Sequence, residues 1–499
     1  MNKTVKNLVL LLAMILMLST ITAGFSACNN NQTDGTEPGG NTESDTTTTE
    51  TKENVDYKAF LPKATYDGAE VGVILSEAYN SHVFVDDEAS EDAFDQAVYK
   101  RNSYIEETYD IYFDFIPYPG APSYAHDLCR AELYTETGDF EIVLGDYYWG
   151  LEVSGYFKNL TDLDQVNLEN PYWVNGWNDQ ATVNGKLFAA SGFYTMFPIS
   201  LTEAVFVNNY VGDDFDISTD DFYELVQSGN WTMEKMLEFM ELATVENGDG
   251  QLNFDDKYGM SYNLWSGRAL LWGAGLSMAS INADTGMPNF TLTTEQNINV
   301  FQMVYKFLND NAYSYYGGGA GSAERGDNDM YLFCAGRSLF ELAQIGQAAR
   351  VAQELDSFSI LPMPKYDSNQ ADYISSLLGT NLLGIMNTSK NMERSANILE
   401  AMTIISYTDV RPVYYEDLLK VHYQTDPRTA EMIDFIVDRL SIDFLFVHTY
   451  SFGGAVDVPF DLILSYNRNY KSSMTKHEDE IETNWANVVD YYTKTEATS

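Results

Sequence analysis

DFEIVLGDYYWG, residues 139–150, is the stretch from which the rest of the chain can be read. Residues 140–144 form a short, largely apolar run of the kind that makes a buried parallel strand, and the run stops at a glycine followed by an acid and three aromatics. A strand there delivers Asp146, Tyr147, Tyr148 and Trp149 to its carboxyl end, the edge at which open α/β sheets hold ligands. Flat aromatic faces beside a carboxylate suit the C–H faces and hydroxyls of a sugar ring. The competing reading is that Trp149 is core.

Working outward, residues 70–75 read as a strand. Ser90 is placed to cap a helix with Glu91 and Asp92 in its first turn and Phe94, Ala97, Val98 and Ile105 on one face. A second strand is expected at 111–116 and a second helix at 124–134. This β-α-β-α-β order predicts an α/β fold with a parallel sheet and right-handed crossovers. The loop at 76–79, with Glu77 and Tyr79, then joins the aromatic cluster at one edge. Further on, an Asn-Gly turn at 184–185 separates two extended runs, and 203–207 is an apolar strand suited to crossing between lobes. Helices follow at 222–226 and after Thr232, an N-cap for Met233, Met236, Leu237 and Met240. That methionine stripe reads as core packing.

Lys3 and Lys6 precede an uncharged apolar run at 8–18, and small residues lead to Cys28. This is a secretory signal pattern, too short in its apolar part for a spanning helix. Residues 29–55 are polar and carry almost nothing to bury, so they read as a disordered tether. Such a tether, with a root-mean-square reach of about 30 Å, would hold a folded body near a membrane.

With 74 acidic against 28 basic residues the formal charge is −46, which argues against nucleic acid or an anionic bilayer as partner. Besides Cys28 only Cys129 and Cys334 are present, too few for a disulfide scaffold. About 440 residues follow the tether, more than one core accommodates, so two lobes are expected.

Several stretches, in order, resemble an extracellular solute-binding protein of family 1, the sugar-binding component of bacterial ABC importers. They are the Cys28 lipobox and tether, DAFDQAVYKRNSYIEETYDIYFDF, FEIVLGDYYWG followed by GYFKNLTDL, EAVFVNNY, SGNWTMEKMLEF, YGMSYNLW, FCAGRSLFEL and SFSILPMPKYDSNQADY. The resemblance implies a two-lobed, class II periplasmic-binding-protein fold that closes on its ligand. It places lobe 1 at 56–202 and 385–441 and lobe 2 at 208–377 and 442–499, with crossings near 203–207 and 378–386. A terminal helix with Ile481, Trp485, Val488 and Tyr492 on one stripe would close lobe 2. The family's cleft positions fall on Glu77, Tyr79, the 146–149 cluster, Tyr262, Trp265 and Glu341, the last often aromatic in sugar binders. Lipidation falls on Cys28. The implied partners are a carbohydrate and a membrane permease, and the implied state is a monomer.

Residues 245–256, VENGDGQLNFDD, resemble a calcium loop, with Asn247, Asp249, the Gln251 carbonyl, Asn253 and Asp256 at ligand positions. Valine at the first position and a short carboxylate at the last weaken it, and the alternative is a plain turn. No other cofactor is called for. A surface glycoside hydrolase is the first rival function, since Glu77, Asp146 and Glu341 could face one another across a cleft. Against it, the five histidines are scattered and no G-x-S-x-G or phosphate-loop motif occurs. A surface binding protein without a transport role is the second rival.

Overall fold

From Val71 to Ser76 every side chain of the strand Ala69–Ser76 (β1) is buried, a pattern that only a strand covered on both faces sustains. In the computed structural model β1 lies between two parallel neighbours, Ile111–Tyr118 (β2) and Ile142–Asp146 (β3). The structure describes residues 55–77, 82–85, 90–119, 123–146, 150, 154–318, 328–379, 381–418 and 428–493. The strand expected at 140–144 therefore begins two residues later. Phe140 and Glu141 are used otherwise: the Glu141 N–H donates to the Gly72 carbonyl, and its carboxylate accepts from Arg394 and Ser395. Gly72 is required there, because a Cβ would sit 2.2 Å from the Asp139 carbonyl oxygen.

In chain order the further strands among the described residues are Glu203–Asn208 (β4), Tyr258–Tyr262 (β5), Ala279–Ile281 (β6), Pro288–Phe290 (β7), Ser314–Tyr316 (β8), Ser338–Gln344 (β9), Phe358–Leu361 (β10), Ser375–Ser376 (β11), Asn381–Ile385 (β12) and Leu440–Ser441 (β13). The first sheet has the order β12-β3-β1-β2, parallel except for β12. The helix Ala93–Tyr109 buries Phe94, Val98, Ile105 and Tyr109. Its cap is Asp92, not Ser90: the Asp92 carboxylate accepts from the Phe94 and Asp95 N–H groups, and Ser90 Oγ instead donates to Asp95. The shorter approach from Asp92 satisfies two of the helix's free N–H groups at once. A second helix, Met392–Ile405, is buried continuously from Ser395 and runs into a π-turn at Ser406–Val410.

The second sheet has the order β10-β4-β9-β5-β8. β4, read from sequence as a crossing strand, is a full member of this sheet, antiparallel to β9 and β10, and all six of its residues are buried. Thr232 caps the helix Met233–Ala243 as expected, and Met233, Met236 and Met240 are core.

The chain passes between the sheets at three places. Thr202, just before β4, bridges Leu377 antiparallel. β12 starts four residues after Leu377 and pairs along the whole of β3, so 381–385 belongs to the first sheet, not to the crossing. The third passage precedes the helix Arg428–Val437, which already packs on β10, and β13 follows it, parallel to β11. β13 runs against the helix Asn175–Ala181, where a Cβ at Gly176 would lie 1.8 Å from the Leu440 carbonyl oxygen. Asp443 then accepts from the N–H groups of Met278, Ala279 and Leu445. The terminal helix Tyr470–Thr493 buries Ile481, Val488 and Tyr492. It does more than close lobe 2, because the Tyr492 carbonyl accepts from Asn184 and its ring packs on Phe188. Cys129 and Cys334 are both free thiols. Among the described residues no helix is long and apolar enough to cross a membrane, and Cys28 and the tether lie outside them.

Candidate ligand-binding cleft

The carboxyl ends of β1 and β3, where the sequence places one edge of a cleft, lie side by side in the first sheet. Ser76 closes β1 fully buried, its hydroxyl without a partner among the described residues, and exposed Glu77 follows. At β3 the backbone of Asp146 pairs with Asn381. Tyr79, Tyr147, Tyr148 and Trp149 lie outside the described residues. The chain resumes at buried Gly150 in the left-handed region, φ +65°, where a Cβ would sit 3.0 Å from Tyr450 Cδ1. Gly150 thus abuts the exposed ring of Tyr450, a residue the sequence reading missed. His126 stands between, in ring contact with Tyr156 at 5.7 Å and Tyr450 at 6.4 Å.

The second sheet contributes the end of β5. Tyr262 is buried against Tyr316, ring centroids 5.3 Å apart. Asn263 then caps the helix Leu264–Gly273 by accepting from the Trp265 and Ser266 N–H groups. That cap fixes Trp265 in the first turn and leaves it 36% exposed. One turn on, the Arg268 guanidinium lies 4.9 Å from the Trp265 ring and pairs with Asp457 at 2.9 Å, while its Nε is buried without a partner. Burial pushes the Asp457 carboxyl up, and Arg268 pulls it back. The structure therefore joins Tyr262 and Trp265, and adds Arg268 and Asp457. The i, i+3 spacing of Trp265 and Arg268 was the available signal for one of these.

Glu341 is not brought to this edge. It sits in the middle of β9 with no accessible surface, so in this conformation it cannot touch a ligand. Its Oε2 accepts from Ser261 Oγ at 2.5 Å, and its pKa is raised well above the carboxylate range, by burial first and then by neighbouring Asp329. A second carboxyl is buried where β4 begins: Glu203 is pushed up to about 8 by burial, which the polar side chain of facing Gln344 only partly offsets. A glycosidase pair built on Glu341 has no geometric basis here.

The five residues of the calcium-like loop do come together, and their oxygens are turned on the loop itself. Buried Asp256 accepts from the Asn247 and Asn253 N–H groups, Asp249 from Gln251 N–H and Asn253 Nδ2, and Asn247 Oδ1 from Asp249 N–H. Glu246, not read as a ligand, accepts from Gly248 and Gly250. Among the described residues no group of three or more His, Cys, Asp or Glu is placed to hold a metal ion; of the five positions only Asp249 and Asp256 are carboxylates, and both already accept from the loop's own N–H groups.

No protein-family model and no curated protein matches the chain. Solved structures do. The ABC substrate-binding protein Lmo0181 from Listeria monocytogenes, in complex with cycloalternan, is 11% identical at a TM-score of 0.52, over 84% of this chain and all of that one. UgpB from Mycobacterium tuberculosis, in complex with glycerophosphocholine, is 13% identical at 0.53, over 85% of this chain and all of that one. The cyclic alpha-maltosyl-1,6-maltose binding protein from Arthrobacter globiformis is 13% identical at 0.51, over 84% and 100%. Two sheets joined by three passages, matched over the full length of these binding proteins, give the chain the two-lobed α/β fold of periplasmic binding proteins.

Proposed function

We propose that the chain is a solute receptor that captures a saccharide between its lobes and hands it to a membrane permease, held at the cell surface by lipid on Cys28. The observation that carries this reading is Trp265: a helix cap holds a partly exposed indole at the carboxyl end of β5, with Arg268 on the ring and Asp457 beside it. An indole with a guanidinium and a carboxylate at its rim presents the apolar face and the polar edge that a sugar ring needs. Solved neighbours of the same fold include proteins in complex with oligosaccharides, which supports the cargo class.

Binding without conversion suits this fold. A ligand that touches both lobes only when they are closed shifts the open–closed population, and the closed form is the one a permease reads. Thermal-shift screening of mono- and oligosaccharides tests the reading, followed by calorimetry on Trp265→Ala. Removing one stacking face should weaken binding by about 1 kcal/mol, roughly fivefold. A hit whose affinity is unchanged in that variant removes Trp265 from the site, and turnover of an oligosaccharide would make the protein an enzyme instead.

A second cargo has one observation in its favour. The Arg268 guanidinium, held on the Trp265 ring, is a group suited to a phosphodiester oxygen, and one structural neighbour is in complex with glycerophosphocholine. A glycerophosphodiester therefore belongs in the same screen.

A further inference from the structure

We propose that Arg101 is a positioning residue for the binding cleft: its buried guanidinium fixes the backbone of His82–Val83, after β1, to the segment that leads into the first crossing. The inference rests on the receptor reading above for its functional consequence.

Arg101 lies on the buried face of the helix Ala93–Tyr109 and is 2% exposed. In a chain with 74 acidic residues, a buried arginine is expected to hold a carboxylate, because an unpaired buried charge is expensive. None pairs with it among the described residues. All its contacts are neutral oxygens: Nε donates to Asn102 Oδ1 at 3.0 Å, and Nη1 donates to the carbonyls of His82 at 3.3 Å and Tyr194 at 3.1 Å and to Ser406 Oγ at 3.0 Å. Nη2 donates to the Val83 carbonyl at 2.5 Å, which also accepts from Asn102 Nδ2 at 2.9 Å. With no counter-charge, burial brings the guanidinium down to about 9.

The choice of acceptors gives the arrangement its meaning. A carboxylate partner would anchor one side chain, whereas main-chain carbonyls anchor the path of the chain itself. Three separate stretches are tied to a single fork. His82–Val83 begins five residues after Glu77, at the cleft edge of β1. Tyr194 belongs to the run that reaches Thr202 at the first crossing, and the tie is doubled there: Met196 N–H donates to His82 Nδ1 at 3.3 Å, and the His82 ring stacks on Phe197 at 4.6 Å. Ser406 opens the π-turn that ends the buried helix Met392–Ile405, and such turns are frequent at functional sites. Among the described residues Arg101 hydrogen-bonds to none of the expected ligand positions. It acts by pre-ordering the β1 side of the cleft against the crossing, so that binding does not have to order it.

The test compares wild type with Arg101→Lys. Lysine keeps the charge and the stem but offers three donors from one point, so it cannot span these acceptors. Three quantities are read: affinity for the best saccharide from the screen, thermal stability without ligand, and hydrogen exchange across the chain. The expected result is affinity lower by about tenfold or more in folded protein, with faster exchange concentrated at residues 82–85 and at the Met196 amide. A plain core staple would lower stability and leave the affinity of the folded protein alone. Affinity within twofold of wild type, or exchange unchanged at those amides, overturns the proposal. Should the lysine variant fail to fold, Asn102→Ala removes the second donor to Val83 and the acceptor of Nε. It should move affinity and local exchange in the same direction, and no change in either refutes the proposal. If wild type binds no saccharide, the receptor reading falls, and the exchange measurement still decides whether Arg101 orders this segment.

Discussion

Replacing Glu203 with glutamine should flatten the dependence of stability on pH. The side chain opens β4 and is 1% exposed, so burial, only partly offset by Gln344, keeps it protonated to about pH 8 against 4.5 for the free group. Because the folded value is the higher one, its contribution to stability is complete below the unfolded pKa and is lost as pH rises through the folded one. Between them the native state binds one proton more than the unfolded chain, which gives a slope of about −1.4 kcal/mol per pH unit. From about pH 5.5 to 7.5 this one group should remove about 2–3 kcal/mol. Glutamine keeps the shape and cannot ionise, so its own cost is independent of pH and the comparison lies in slopes, not absolute stabilities. Glu341, also raised, adds a slope of its own to both proteins, and since Glu203 is the least of the causes of its shift the replacement alters that slope little. Urea unfolding of wild type and Glu203→Gln at three pH values in that range measures the difference. Parallel profiles would show that Glu203 is ionised in the folded protein and that the reasoning from burial is wrong.

Gly176→Ala should be destabilising by about 2 kcal/mol or more, seen as a lower midpoint in urea, because the added Cβ meets the Leu440 carbonyl of β13 at 1.8 Å. Adding EDTA in calcium-containing buffer should leave the melting temperature unchanged, since the carboxylates of the 245–256 loop already accept from its own N–H groups; a drop of several degrees would restore calcium. A thiol reagent should label Cys334 in the native state well before Cys129, which is fully buried with its thiol pushed up to about 12; equal rates would place Cys129 at the surface.

What could be read from sequence follows from how far apart the determinants lie. The strand at β3, the alternation that makes the first sheet parallel, and the cap at Thr232 are decided by residues within a few positions of one another, and each is found. The cap of the helix Ala93–Tyr109 shifts from Ser90 to Asp92 because either side chain is chemically competent and only the path of the chain chooses. Glu341 fails for a different reason. In SLFEL the acid stands between Phe340 and Leu342, and such a run suits a strand with one wet face as well as one buried on both. Only its place in β9, between β4 and β5, makes it core. Tyr450 against Gly150 is a contact across three hundred residues, for which no local pattern exists.

Three buried polar residues share one property. Arg101 in the first lobe and Glu203 and Glu341 in the second are all buried in or against the sheets without an opposite charge among the described residues, and the sequence offers abundant charges that could have paired with them. Leucine or methionine at these positions would pack more cheaply. Their placement is not random, however: Glu203 is the residue next to the Thr202–Leu377 bridge, and Arg101 binds the run that leads to it. In the proposed receptor, a hinge that opens and closes has to have one strongly preferred path through each lobe while leaving the passage itself free to bend. Directional polar contacts supply that preference where apolar packing, which tolerates sliding, does not. On this argument the lobes keep their costly buried polar groups near the crossing because shape alone would not hold the two halves of a cleft in register.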